Sequence, residues 1–243
     1  MPLKLSVVIP AFNEEDRIGR TLCEVDSYLS KLGRSYEILV VDDGSTDRTR
    51  EITLTLAEGS PAIRYISNDA NRGKGFSVRH GFFESTGELF LISDADMSTP
   101  IDELPRFMEE MDKGADIVIG SRALKQSNII KRQPIYRVLM GKTFNKIVRL
   151  FTVRGISDTQ CGFKLFRRDT CEWIFRVQRV ERFAFDAELL FLASVKGLSI
   201  EELAVRWINS PNSKVNPIWD SSRMLKDIIK VRLDFVRGKY TGL

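Results

Sequence analysis

Histidine is almost missing from this chain: His80 is the single one among 243 residues. Histidine-based triads and histidine-rich metal sites are therefore excluded, and any catalysis must fall to carboxylates, amides and basic side chains. Cysteine is scarce too. Cys23, Cys161 and Cys171 form an odd set with no Cys-x-x-Cys spacing, which argues against a disulfide framework and a structural zinc site and fits a reducing compartment. Long apolar runs are absent. The N-terminal run Leu5–Ile9 is too short for a signal-peptide core, and no window approaches the ~18–20 residues of a membrane-spanning helix. The low-complexity tracts and internal repeats that mark fibrous or disordered chains are also missing.

The first 120 residues alternate between β-branched apolar runs and longer amphipathic stretches. Lys4–Ile9, Glu37–Val41, Ala62–Ile66, Leu89–Ser93 and Asp116–Gly120 read as strands. Glu14–Leu32, Asp47–Leu56, Gly75–Ser85 and Asp102–Lys113 read as helices between them. Such alternation predicts an α/β fold with a mostly parallel sheet flanked by helices, whose ligand crevice lies beyond the carboxyl ends of the strands. Further on, Phe163–Phe166 and Ser199–Trp207 read as strands, Ala187–Lys196 as a helix, and Ser221–Val236 as a last amphipathic helix. The expected organisation is one domain, its main body over 1–212 and a C-terminal amphipathic helical appendage of the same domain over 213–243 that could meet a membrane.

Polar clusters fall where the crevice is expected. Asp94-Ala95-Asp96 follows a buried strand; in extended backbone residues two apart share a side, so both carboxylates could converge on Mg²⁺ or Mn²⁺. Asp42 and Asp43 open a turn in front of the second helix, and adjacent carboxylates at a buried strand end call for partners. An Asp there could accept hydrogen bonds from a base or ribose, although a plain turn and helix cap would use the same residues. Asn71-Arg72-Gly73-Lys74-Gly75 is a basic, glycine-rich helix entry, suited to phosphate through Lys74 and backbone amides or simply to starting a helix.

Net charge is only +4, but Arg122 to Arg154 holds nine Lys or Arg and no Asp or Glu. A block of one sign needs an anionic partner or surface. Apolar residues beside Arg137, Lys142, Lys146 and Arg149 suit an interfacial helix on anionic lipid, and Met224, Leu225, Ile228, Ile229 and Val236 among basic residues suit a second one. No RNA-binding aromatic signature accompanies the block, so nucleic acid is not an expected partner.

Four segments occur in an order and spacing that resembles family-2 glycosyltransferases: residues 7–15 (Val-Val-Ile-Pro-Ala-Phe-Asn-Glu-Glu), 42–47, 71–75 and 94–96. Residues 158–166 (Asp-Thr-Gln-Cys-Gly-Phe-Lys-Leu-Phe), 181–188 and 213–215 are similar to the branch that glycosylates polyprenyl phosphates. The resemblance implies a GT-A fold and an inverting, metal-dependent transfer of glucose from UDP-glucose to a polyprenyl phosphate of the dolichyl type. GDP-mannose as donor, a hydroxyl compound as acceptor, and a non-catalytic nucleotide-binding module are the alternatives. It further implies that Pro10, Phe12, Glu14, Asp42 and Asp43 hold the base and ribose, that Lys74 lies near the diphosphate, and that Asp94 faces the sugar or ribose. Asp96, with Asp94, would hold the metal, and Ser98 falls where some relatives place another metal-site residue. Arg122, Arg137 and Lys214 would receive the acceptor phosphate, and Asp186 would orient that site or, with a hydroxyl acceptor, act as base. The implied location is cytoplasmic, peripheral on the cytoplasmic face of a membrane.

Overall fold

A computed structural model describes residues 4–131, 155–208 and 217–241. The apolar runs become strands β1 (Leu5–Ala11), β2 (Tyr36–Asp42), β3 (Ile63–Ser67), β4 (Leu89–Ile92) and β5 (Ile117–Ser121). Helices α1 (Ile18–Leu29), α2 (Thr49–Gly59), α3 (Lys74–Glu84) and α4 (Leu104–Asp112) connect them in turn. Then come β6 (Asn128–Lys131), β7 (Lys164–Arg167), α5 (Arg168–Val177), α6 (Phe185–Lys196), β8 (Ile200–Ala204), β9 (Arg206–Ile208) and α7 (Pro217–Val236).

Seven strands form one sheet in the order β3-β2-β1-β4-β7-β5-β8. Every pairing is parallel except those of β7, which runs antiparallel between β4 and β5. Because successive side chains on a strand point to opposite faces, neighbouring residues feed separate cores. Val8, Leu39, Val41, Phe90 and Ile119 pack on one face with Val78 and Phe82 of α3, Phe175 of α5 and most of α6. Val7, Ile9, Val40, Leu91 and Val118 pack on the other with Leu22 and Val25 of α1 and Phe107 of α4.

Two sequence expectations change here. The single strand expected over Ser199–Trp207 is two: β8 joins the main sheet, while β9 leaves it to pair in parallel with β6 as a separate ribbon. Helix α5 was not foreseen, although Cys171, Ile174 and Phe175 give it one buried face. The C-terminal helix, expected as an appendage of the same domain, packs onto it. Met224, Ile228 and Val231 of α7, and Tyr240 beyond it, join the core cluster that contains α6. Tyr240 donates its hydroxyl hydrogen to Glu188 at 2.7 Å, which latches the C-terminal segment to α6. The basic amphipathic stretch after Pro134 lies outside the described residues.

Candidate active site

The polar loops gather at the carboxyl ends of β1, β2 and β4, as the alternation predicts. The loops after β1 and β2 interlock. Asn13 N–H donates to Ser45 Oγ at 2.8 Å, Thr46 N–H to Asn13 Oδ1 at 2.8 Å, and Glu14 N–H to Thr49 Oγ1 at 2.7 Å. Phe12 stands at the rim, about a third exposed, while the Glu14 carboxylate is held by Arg17. Asp42 is buried and accepts from Ser45 N–H at 2.9 Å and from the Tyr65 hydroxyl at 2.8 Å.

Asp43 is committed to the protein itself. Its two oxygens accept from Asn68 Nδ2 at 2.8 Å, Arg72 N–H at 2.9 Å and Gly73 N–H at 2.7 Å. The adjacent carboxylates thus find their partners internally, and Asp43 shapes the loop that presents Lys74. Gly73 has φ 110°, and a Cβ there would fall 2.6 Å from the Glu181 carbonyl oxygen. Only glycine lets this loop close against the segment before α6.

Beyond β4 the chain does not stay extended. The strand ends at Ile92, Met97 N–H closes a turn onto the Asp94 carbonyl at 3.1 Å, and Met97 has φ 48°. The strand alternation expected of Asp94 and Asp96 therefore does not apply; both sit in a tight turn, from which both act on Lys74. The two carboxylates also differ. Asp94 Oδ1 lies 2.6 Å from Lys74 Nζ, and the Asp94 carboxylate sits where a Cβ on Gly162 would be. Asp96 is half-buried and accepts from Ser98 N–H at 2.9 Å.

Two further ion pairs line the same place. Lys164 Nζ meets Asp186 Oδ1 at 2.6 Å, with the side chains only 1% and 5% exposed, and also donates to the Cys161 carbonyl. Arg122 grips Asp158 with both arms of its fork, Nε to Oδ2 at 2.7 Å and Nη2 to Oδ1 at 2.9 Å. The expected phosphate-binding fork is thus spent on a carboxylate, and among the described residues Nη1 is the edge without a carboxylate partner.

Electrostatics ties the pairs into one cluster. Burial works against the Lys74 ammonium, but Asp94, Asp186 and Asp96 outweigh it and keep it charged well above the usual lysine range. Burial would push Asp94 up, yet Lys74, Lys164 and Arg122 hold it below the ordinary carboxylate range. Burial likewise opposes ionisation of Asp158, and Arg122 reverses that to about 2. Asp186 goes the other way: burial, aided by the charge of Asp94, raises its carboxyl against the pull of Lys164 and Lys74.

Among the described residues no group of three or more His, Cys, Asp or Glu side chains could hold a metal ion alone. The donors fit a hard cation all the same. Asp96 offers an accessible carboxylate, and Mg²⁺ or Mn²⁺ commonly takes one or two carboxylates and completes its shell from substrate phosphate and water. Asp94, drawn onto Lys74, is less available than the sequence reading implied. Asp186 lies in the first turn of α6, whose N-cap is Ala184, so it is not the cap, and its carboxylate is engaged by Lys164. Ser98 is buried, and its carbonyl accepts from Ile208 N–H at 2.8 Å. Pro10 lies within β1, opposite Val41 of β2. Arg137 and Lys214 lie outside the described residues. Sequence reasoning gave no separate role to Lys164 and Asp158; the visible signal was a lysine inside the apolar run Phe163-Lys-Leu-Phe166, where only a buried partner makes a charge tolerable.

Residues 6–175 match the family model described as Glycosyl transferase family 2. The chain belongs to this family. It is a glycosyltransferase, and the GT-A expectation is met by solved structures of similar fold. Mannosyl-3-phosphoglycerate synthase from Rubrobacter xylanophilus superposes with a TM-score of 0.68 at 20% identity, over 99% of this chain and 77% of its own. Glucosyl-3-phosphoglycerate synthase from Mycobacterium tuberculosis, solved with Mn²⁺, UDP-glucose and glycerol 3-phosphate, gives 0.67 at 19% identity, over 96% and 80%. In sequence the family member is much nearer to dolichyl-phosphate beta-glucosyltransferases. The Homo sapiens enzyme is 38% identical over 98% of this chain and 77% of its own length. The Saccharomyces cerevisiae enzyme is 37% identical over 97% and 76%.

Proposed function

We propose that the chain transfers glucose from UDP-glucose to a polyprenyl phosphate of the dolichyl type, with inversion at the anomeric carbon and with a divalent cation at Asp96. Phe12, Pro10 and Asp42 border the base and ribose side. Lys74, at the start of α3, carries a charge secured by Asp94 and faces the diphosphate. A cation held by Asp96 would offset the charge gathering on the departing nucleoside diphosphate.

The state of Asp186 carries the acceptor assignment. This candidate base is buried and locked at 2.6 Å onto Lys164, so it is poorly placed to deprotonate a hydroxyl. A lipid monophosphate needs no such help, since its second pKa is ~6 by analogy with phosphoserine and the nucleophile is largely ionised at pH 7. It needs positioning and neutralisation, which the remaining Nη1 edge of Arg122 supplies, together with Arg137 and Lys214. The relatives named for dolichyl phosphate and glucose support the same donor and acceptor.

Attachment is proposed as peripheral on a membrane. Among the described residues no helix is long and apolar enough to cross one. Ile229, Leu233 and Val236 form an exposed apolar stripe on α7, with Lys226, Lys230 and Arg237 nearby in sequence. Incubating the protein with UDP-glucose, Mn²⁺ and a short prenyl phosphate tests the reading. Glucose should enter the lipid fraction in step with UDP release, and transfer that prefers a hydroxyl acceptor would overturn it.

A further inference from the structure

The β6–β9 ribbon stands apart from the main sheet and has no role in the reaction as described so far. It is unusually greasy for a surface element. Ile129 is 39% exposed, Ile130 59% and Ile208 41%, three of the large apolar side chains left open among the described residues. It is also fastened to the active site at two points. The Ile208 amide donates to the carbonyl of Ser98 at 2.8 Å, two residues from Asp96. The guanidinium of Arg122 lies over the Trp207 ring, 5.6 Å from its centroid.

Register places the apolar wall. Ile129 pairs with Trp207 across the ribbon, and directly paired residues share a face of a sheet. The surface therefore passes from a cation above Trp207, to the indole, to Ile129, and then to Ile130 at the register shift that follows it, while Ile208, paired with Lys131, falls on the opposite face. A site that is cationic at one end and aliphatic along its length matches an amphiphile with an anionic head and a branched hydrocarbon tail. Arg122 is a poor site for a small free anion, because Asp158 already holds two of its nitrogens. An acceptor drawn there would need added affinity from its tail.

From this juxtaposition we infer that the β6–β9 ribbon is the subsite for the first isoprene units of the acceptor, with Trp207 and Ile129 as its inner wall and Ile130 as its outer one. The inference rests on the acceptor being a prenyl phosphate. It adds that the protein itself, and not only the bilayer, grips the chain next to the phosphate. Selectivity for chain length over the first few isoprenes would then be a property of the ribbon.

The test uses the full chain, UDP-glucose, and two water-soluble acceptors of one and four isoprene units, dimethylallyl phosphate and geranylgeranyl phosphate, without vesicles. The wild type should prefer the longer acceptor. Ile129→Ser with Ile130→Ser should raise KM for geranylgeranyl phosphate by about tenfold, the scale of losing one to two buried methylene-sized contacts. KM for UDP-glucose should stay unchanged and that for dimethylallyl phosphate should rise much less than for geranylgeranyl phosphate, and Ile129→Leu in place of Ile129→Ser should restore most of the chain-length preference. Unchanged KM for UDP-glucose also shows that the variant is folded. If the wild type transfers to both acceptors but the double variant keeps its preference for the longer one, the ribbon is not the subsite. If the loss appears only with acceptor in vesicles, the ribbon meets the membrane surface and the inference fails. A wild type that uses neither prenyl phosphate refutes the proposed function itself.

Discussion

Lys164→Met is the most informative single perturbation of the charge cluster. It removes an ammonium that is 1% exposed, with its 2.6 Å partner Asp186 also buried, and it deprives the Cys161 carbonyl of a donor. Breaking a buried pair by deleting one member costs about 3–5 kcal/mol, because the survivor is an uncompensated buried charge. Against a typical domain stability of about 5–15 kcal/mol, that is a large fraction. Asp186 has one escape, which is to take up a proton. Its carboxyl is already raised by burial, and without Lys164 it should rise further. A carboxyl raised in the folded state loses stability as pH climbs from its unfolded value through its folded one. The variant should therefore be least stable, relative to wild type, at pH 8 and should recover part of the deficit near pH 5. Urea unfolding at both pH values measures this. Replacing both partners, Lys164→Met with Asp186→Leu, should cost much less than the sum of the single changes, since an apolar pair of similar volume leaves no orphaned charge. Additive costs, or a deficit that does not change between pH 5 and 8, would refute the reasoning.

Asp96→Ala should abolish turnover and Mn²⁺-dependent UDP affinity while leaving the melting temperature within a few degrees, since this half-buried side chain makes its hydrogen bond to the nearby Ser98 N–H; near-normal activity in EDTA would remove the metal from the account. Gly162→Ala should cut kcat by about tenfold or more, because its Cβ would displace the Asp94 carboxylate and small misplacements at a reacting centre are costly. Asp158, held at about 2 beside Arg122, should contribute about 2 kcal/mol that is present above pH ~4 and lost as pH falls towards 2; in Asp158→Asn an acid titration of stability should lack that component. Changing Ile229, Leu233 and Val236 together to Ser should weaken sedimentation with anionic vesicles without changing the melting temperature, since all three are exposed. Truncating the whole helix is a worse test, because Met224, Ile228 and Val231 belong to the core.

Much of this arrangement could be read from the sequence, for physical reasons that also mark where reading stops. Strands β1, β2, β4 and β5 are buried, mostly apolar runs and β3 a half-buried edge, all flanked by polar turns, so periodicity and composition locate them to within a residue or two. The crevice loops follow from that topology. Strand β6 is only four residues long and begins with Asn128, too short to carry a period. The break between β8 and β9 falls at Val205, a residue as strand-like as its neighbours, so only pairing partners reveal it. The site shows the same limit. Asp94 and Asp96 stand out by spacing, but the turn that carries them depends on Met97 in a left-handed conformation, which no local preference signals. The pairing of Lys164 with Asp186 joins residues 22 apart in sequence, and that of Arg122 with Asp158 joins residues 36 apart. Sequence gives the charges; only the fold says that each cation is already matched.

The central claim is that glucose passes from UDP-glucose to a prenyl phosphate without a free general base. Its most direct test is a competition in one vessel: equal UDP-glucose and GDP-mannose, with a prenyl phosphate and the matching prenyl alcohol as acceptors, and the lipid products resolved by mass. The account predicts glucose on the prenyl phosphate as the dominant product, with one UDP released for each glucose transferred. Mannose as the main sugar would contradict the donor assignment, and glucose on the prenyl alcohol would contradict the reading of Asp186 as a residue that holds Lys164 in place of a base.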